Sequence, residues 1–493
     1  MIASIVTFVL YIVVLIAIGV ITYVKAKSYS DYTLAGRSNN KWVAAISAES
    51  SDMSGWLLMG LPGAAYAGGF SSIWIMIGLI FGTMFNWIFV ANRLRVATEV
   101  YNVFSITEYF EKRVNDKTGS VALVSGLAII IFMIINASAE IIGSGKLLNA
   151  TFGMDYSTGI VVGLVIVVLY TFLGGYMAVS WSNLFQGTIM FFALLFVPIA
   201  VIVKIGGYEE VLRHLHQTNP SFFQFLNGET EFFPALSIIL GGLGVGLCYF
   251  GMVHVLTCFM SIKHSSEIKD STFIATTWVS ISTFGAILVG MLGAYLFPKI
   301  ADPEQIFFAM GSSYFPPYML GLFAAAVMAA ILSSVSAYVI VAAAAFGANI
   351  VKHYAKDIDE AKIVNLERLA VVVISLLAFL MSLKSNLVFS IALLAAAGLG
   401  SSFGPLVLFS LYSRDINKTG AIASIIVGLV VVIFWYYGGF SAYIYELVPG
   451  FIASCLALSV GTRLGGGADE ETRELYDRYI AKLKQNKRRG ESV

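Results

Sequence analysis

Long apolar runs separated by short polar stretches recur from one end of the chain to the other. A run of about 18 residues or more is long enough to cross the hydrocarbon core of a bilayer. The pattern predicts thirteen helices, near 2–25, 41–67, 71–92, 119–150, 156–176, 183–206, 235–261, 271–298, 315–350, 366–384, 387–412, 419–437 and 441–462. Backbone groups find no water in the bilayer core, so such spans must be helical or shielded by protein. The expected fold class is an all-α polytopic membrane protein.

The polar stretches set the orientation. Lys25, Lys27, Arg37 and Lys41 follow the first helix, and Arg93, Arg95, Lys112, Arg113 and Lys117 follow the third. Lys263, Lys269, Lys352, Lys356, Lys362, Arg368, Arg414 and Lys418 fall on the same side, whereas the other side has only Lys204, Arg213, Lys299 and Lys384. Positive charge marks the cytoplasmic face. The N-terminus is therefore expected outside and the C-terminus in the cytoplasm. The largest outer loops are 207–234, rich in phenylalanine, and 299–314. The tail 464–493 places Leu475, Tyr479 and Leu483 at helical spacing, as a short amphipathic cytoplasmic helix would.

Composition agrees. The chain is 58% hydrophobic and 12% charged, against about 25% charged in soluble domains. A net charge of +1 points to no partner, and no basic stripe or recognition module suggests nucleic acid. Cys248, Cys258 and Cys455 lie in apolar runs at no metal or redox spacing and read as small buried hydrophobes. The run 2–24 is too long for a signal peptide's apolar region and reads as a retained helix. No catalytic triad, metal motif or phosphate loop indicates an enzyme.

Candidate chemistry is concentrated in Glu-Ser-Ser-Asp-Met-Ser-Gly-Trp, residues 49–56, inside the second helix. Ionisable residues in a membrane helix usually mark a substrate or ion route. Serine and aspartate compete for backbone hydrogen bonds and glycine is flexible, so the stretch favours unwinding over 50–55. Unwound carbonyls and hydroxyls are hard oxygen ligands suited to an alkali cation. The glycine-dense run 241–251, followed by His254, suggests a matching break five helices later. That spacing suggests two inverted five-helix units, 41–206 and 235–412, joined by loop 207–234. They are preceded by residues 1–40 and followed by two helices in 413–463. In the ninth helix Ser333, Ser334 and Ser336 offer hydroxyls on one turn. Serine is also common packing glue between membrane helices. His254 reads equally as a packing residue or a solute contact.

The runs SDMSGWLLMGLPGA (51–64), DYTLAGRS (31–38), TFGMDY (151–156), FLGGYMAVSW (172–181), YFG with His254 (249–254) and GLGSSFGPLVLFS (398–410) resemble the sodium/solute symporter family, in its sodium/proline branch. The likeness runs from about residue 8 to 455. It implies a LeuT-type 5+5 inverted repeat of thirteen helices. It implies a sodium ion held by backbone oxygens of Ser50, Met53 and Ala330 and by the hydroxyls of Ser333 and Ser334. Asp52 matches an aspartate important in the branch, which would steer sodium or hold the unwound segment. Ser54 and Gly55 match residues linked to substrate and sodium. Asn183 stands where the branch has an aspartate, so one sodium site is expected, with Asn183 and Ser336 in support.

This chain departs from the branch at the expected solute pocket. It has Val245 and Ala396 for tryptophans, Asn136 for a tyrosine and Val253 for a proline, while Tyr249 remains. Met252 and His254 line the broken seventh helix. Glu49 and Glu140 replace small residues. Each reads as a hydrogen-bonded structural acid, a solute-facing acid or a proton-coupling site, with Lys146 one candidate partner for Glu140. The expected function is sodium-coupled import of a small organic solute by alternating access, an amino acid such as proline. The alternative is sodium- or proton-coupled carriage of a cationic amine through Glu49 and Glu140. A channel or sensor on the same fold is a third class. The other expectations are a bacterial cell-membrane location, a lipid-bilayer environment, sodium as the only ion, a monomer, and no nucleic-acid partner.

Overall fold

The computed structural model of the protein describes residues 2–25, 28–347, 359–383 and 388–489. Lys27, Lys352, Lys356 and Lys384, used above for orientation, lie outside the described residues. The described chain is helical, with a single isolated bridge between Asn39 and Ile262. Its principal helices are α1 (Ile2–Lys25), α2 (Lys41–Leu58), α3 (Gly60–Gly68), α4 (Ile73–Phe85), α5 (Asn92–Val100), α6 (Ser120–Phe152), α7 (Tyr156–Lys204) and α8 (Phe232–Val245). They continue with α9 (Val253–Ser261), α10 (Ile268–Leu296), α11 (Pro317–Phe346), α12 (Glu360–Ser382), α13 (Val388–Tyr412), α14 (Lys418–Tyr437), α15 (Leu447–Leu464) and α16 (Glu470–Arg488). Short helices in the connections include Ile106–Arg113, Glu209–Thr218 and Ile306–Tyr314.

Among the described residues, eleven helical stretches are long and apolar enough to cross a membrane. The expected spans not among them are the two most interrupted. One is α2, with its serines and acids. The other is the first part of α7, which bends at Gly175 (φ 56°, ψ −161°). A side chain at Gly175 would meet the Tyr32 ring at 2.5 Å, so the bend needs glycine twice over, for its positive φ and for space.

The core is organised around α11, whose apolar stretch is wholly buried. It is rich in alanine and serine, and it packs on α6, α7 and α2. Small residues allow such close helix approach in membranes, where lipid is as apolar as leucine and packing must supply the attraction. The same device joins α4 to α8. A methyl at Gly246 would lie 2.1 Å from the Gly78 carbonyl, and one at Gly82 would lie 2.4 Å from the Gly246 carbonyl. These contacts seat the end of α8 against α4, and the chain then leaves α-helical geometry. A 3-10 turn covers Gly246–Gly251, Met252 is extended (φ −71°, ψ 95°), and α9 begins at Val253. The second break therefore falls at the end of the glycine run.

The tail forms a helix, α16, and it docks. Tyr479 donates to the Leu411 carbonyl at 3.3 Å, Arg113 stacks over the Tyr476 ring, and Arg414 forks onto Asp477 at 2.7 and 3.1 Å. In loop 207–234, Phe222 is buried against Gly69 and the Phe225 carbonyl accepts from Trp74 at 2.8 Å. The loop thus packs over the start of α4.

Candidate functional site

The break in α2 is narrower than the sequence suggests. Residues 50–53 stay helical and one residue, Ser54 (φ 38°, ψ −167°), turns the chain. A positive φ at a residue other than glycine is uncommon, and its neighbours hold it. Gly55 N–H, which would otherwise bond the carbonyl four residues back, donates to Oε2 of Glu140 at 2.9 Å. Trp56 N–H reaches the Ser54 hydroxyl at 3.4 Å, and Trp56 Nε1 donates to the Asp52 carbonyl at 3.2 Å. Glu140 thus caps the helix turn that restarts after the break, where a carboxylate suits free N–H groups. Gly55 must be small: a methyl there would lie 2.8 Å from Glu140 Oε2. Met53 is fully buried next to the break.

One turn before the break, α2 meets α11. Ser333 donates from Oγ to the carbonyls of Ser50 and Ala330, at 2.8 Å each, and Ser334 Oγ lies 3.5 Å from the same Ser50 carbonyl. Ser336 donates to the Ser333 carbonyl at 3.0 Å. Four of the five oxygens named for sodium therefore meet in one fully buried cluster. All are hydroxyl or carbonyl oxygens, the donor chemistry of hard cations. From the other side Ser50 Oγ donates to the Asn183 carbonyl at 3.1 Å, and Asn183 Nδ2 donates to Ser47 at 3.2 Å. Tyr338, one turn along α11 from Ser334, lines the cavity beside the break.

Beside the break lies a cavity of about 30 Å³, room for on the order of two waters. Asp52, Trp56, Asn136, Val245, Met252 and Ala396 line it together with Ile75, Leu79, Cys248, Tyr338, Ala392 and Leu393. Five of the expected solute residues and supports are thus in one wall set: Asp52, Asn136, Val245, Met252 and Ala396. The Asn136 amide nitrogen is buried with no protein partner. His254 lies behind the wall. Its Nε2 is 3.3 Å from Asp52 Oδ1, without the alignment of a hydrogen bond, and its ring stands edge-on to Tyr338 at 4.9 Å. Tyr249 is fully buried in the second break, its carbonyl held by Asn86 Nδ2 at 2.8 Å. Val253 faces a separate small cavity with Thr257 and Ser105.

Glu49 and Glu140 are placed differently from the solute-facing reading. Neither lines the cavity. Glu49 is fully buried and accepts from Trp87 Nε1 at 3.0 Å and Thr83 Oγ1 at 3.4 Å. Glu140 is committed to the break. The Lys146 partnership with Glu140 is also corrected. Lys146 bonds Glu304 at 2.5 Å and Asp302 at 3.0 Å, in the loop before Ile306–Tyr314. Six positions along a helix put two side chains on different faces, and that loop supplies two acids to the face Lys146 occupies.

Residues the sequence did not single out complete the site. After α4 the helix widens into a π turn, Asn86–Ala91. It carries Asn86 to the second break and Trp87 to Glu49, and Trp87 packs edge-on against Phe259 at 4.5 Å. Polar residues inside an apolar run, Thr83 and Asn86, were the available signal.

Two interrupted helices whose breaks flank a buried, partly polar cavity are the construction of a secondary transporter. The chain belongs to the sodium:solute symporter family, whose model matches residues 32–428. It is 37% identical to the high-affinity proline transporter PutP of Bacillus subtilis (strain 168), over 96% of this chain and 100% of that protein. It is 37% identical to the sodium/proline symporter of Salmonella typhimurium (strain LT2), over 93% of each, and 36% identical to that of Escherichia coli (strain K12), over the same shares. A solved Na+-coupled sialic acid symporter, in a substrate-bound outward-open state, superposes with a TM-score of 0.81 at 20% identity, covering 95% of this chain and 99% of that one. The fold is shared with that structure. The protein is a sodium-coupled symporter that imports a small solute, a multi-pass protein of the cell membrane and not an enzyme.

Proposed function

We propose that the solute is proline or a close relative, an amino or imino acid bound as a zwitterion. The observation that carries this is the polar inventory of the cavity. Asp52 offers a carboxylate for an ammonium group, and the unpaired Asn136 amide offers a donor for a carboxylate. The remaining walls are mostly apolar and suit a ring or short side chain. A cationic amine has no carboxylate and would leave the Asn136 donor buried and unmatched, at a cost of about 1–3 kcal/mol. It also loses its motive, because Glu49 and Glu140 have protein partners. The similarity to proline transporters points the same way. The cavity holds less than an amino acid, so its walls must part to admit one.

In this reading one sodium ion sits among Ser50, Met53, Ala330, Ser333 and Ser334, supported by Asn183 and Ser336. Asp52, held near His254, bridges solute and break. Counting α2–α3 and the two parts of α7 as spans gives thirteen helices, with the N-terminus outside and the C-terminus cytoplasmic. Residues 41–206 and 235–412 then form the inverted repeats. The test is uptake into proteoliposomes. Proline should accumulate with a sodium gradient and not with choline. Ser333→Ala with Ser334→Ala should abolish sodium dependence in protein that still inserts. Pyrrolidine, which lacks the carboxylate, should compete at least tenfold more weakly than proline. Equal competition would favour the amine reading.

A further inference from the structure

Lys146 is buried in α6, and neither the oxygen cluster nor the solute cavity uses it. It holds two carboxylates of the loop that follows α10: Glu304 Oε2 at 2.5 Å and Asp302 Oδ2 at 3.0 Å. The lysine side chain is 9% exposed, Glu304 10% and Asp302 31%, so the triad reaches from solvent into the packed interior. Asp302 also caps the turn Pro303–Gln305, accepting from Glu304 N–H at 3.1 Å, which ties the two acids into one rigid turn.

The loop packs with α3 and α10. A methyl at Gly63 of α3 would lie 3.2 Å from the Pro303 backbone and 3.3 Å from Glu304 N. Tyr66 donates to the Phe297 carbonyl at 2.8 Å, and a methyl at Gly290 of α10 would lie 2.3 Å from the Pro62 carbonyl. Loop, α3 and α10 thus form one tightly packed unit, and Lys146 faces it from α6. The same two sides supply walls of the solute cavity: Asp52 and Trp56 from the chain that leads into α3, and Asn136 from α6. Asn136 precedes Lys146 by ten residues of one helix, roughly 15 Å at 1.5 Å per residue. That is about half of a hydrocarbon core about 30 Å thick.

The triad therefore joins the two walls of the cavity at one membrane face, across the seam along which they part. Its charges need a partner or water, and the exposed Asp302 gives water a way to them as they separate. We infer that Lys146, Asp302 and Glu304 form a latch. It is closed in this structure, releases each time the cavity opens toward the loop, and closes again behind the bound solute. The inference rests on the orientation proposed above, which makes this the outer face.

Cys248 lines the solute cavity, so its thiol reports the opening. The test uses the full chain with Cys258→Ser and Cys455→Ser, which leaves Cys248 as the one thiol, in proteoliposomes of one orientation. A membrane-impermeant methanethiosulfonate is applied from either side. From outside, Lys146→Gln should be labelled about tenfold faster than the parent, because loss of the latch shifts the population toward the open state. Asp302→Asn, which leaves Glu304 on the lysine, should give a smaller rise and keeps the test decisive if Lys146→Gln does not insert. Exchange of the charges, Lys146→Glu with Glu304→Lys, should return the rate toward that of the parent. An ion pair that only stabilises the fold would lower thermal stability and leave the outside rate alone. Outside rates no faster than the parent's in both single variants would overturn the latch. A rise seen only with reagent inside would overturn the orientation, and the outer placement of the latch with it.

Discussion

The two breaks that flank the cavity are made by opposite means. The break at Ser54 is polar: a single non-glycine residue at φ 38°, held by Glu140 on Gly55 N–H and by its own hydroxyl on Trp56 N–H. The break at Met252 is nearly apolar, follows a 3-10 turn, contains no residue with positive φ, and is held by glycine-to-backbone contacts with α4 and α13. A methyl at Gly251 would lie 2.4 Å from the Leu399 carbonyl. The first break stores strain of order 1–3 kcal/mol and turns it into a fixed platform. The second stores little and depends on how closely its neighbours approach. A carrier needs one surface that keeps its oxygens in register while another adjusts, and the two constructions divide those tasks.

The largest test of this contrast is Glu140→Ala. It leaves Gly55 N–H buried and unmatched, which should cost up to about 3 kcal/mol. Thermal stability and sodium-dependent uptake should both fall sharply, whereas Glu140→Gln, which keeps an acceptor, should retain part of each. Gly246→Ala attacks the other break. Its methyl meets the Gly78 carbonyl at 2.1 Å, and overpacking of this kind costs about 1–3 kcal/mol. The expected signature is lower stability with sodium affinity preserved, measured by thermal shift across a sodium titration. If both variants lose sodium affinity equally, the division of labour is wrong. Ser54→Gly should have a smaller effect: relief of strain offsets the lost hydroxyl, so stability should stay within about 1 kcal/mol while sodium binds more weakly.

The smallest effect concerns the tail, which touches neither break. The Arg473 guanidinium bonded to Asp415 holds that carboxyl below its usual range, and the Lys117 ammonium does the same for Glu471. Folded values below the unfolded ones mean the contribution is complete above the ordinary carboxylate value of about 4 and is lost as pH falls through the folded values. Spin labels on α16 and on the loop after α13 should therefore separate only in acid below about pH 4. Sodium affinity at pH 7 should be unchanged by Arg473→Gln.

Much of this was legible in the chain. Serines, an aspartate and a glycine inside an apolar run announce a break because each weakens the same backbone ladder, and the glycine run announced the second. Helical spacing also placed Ser333 and Ser334 on neighbouring faces. The directions of Glu49 and Glu140 were not legible. Periodicity assigns a face to a residue but says nothing of which helix arrives there, and Trp87 reaches Glu49 only because of a π turn. The partner of Lys146 lies 158 residues away in a loop with no periodic pattern. The break itself proved sharper than its composition implied, because clamping one residue suffices when the acceptor is prepositioned.

The π turn at Asn86–Ala91 has one more consequence. A π turn accommodates a residue more than the α-helical ladder would, so the flanking helices keep their own faces despite the extra length. It is therefore the place in that helix where a deletion is tolerated by both ends. Removing Ile88 or Phe89, both exposed on the perimeter, would leave Thr83 and Arg95 facing as they do now. The indole of Trp87 would be drawn away from Glu49. The helix would remain intact and inserted, with Glu49 left to the weaker Thr83 hydroxyl alone. The extra residue is thus a spacer whose effect is read in a neighbouring helix, and a relative one residue shorter here should carry something other than glutamate at the position of Glu49.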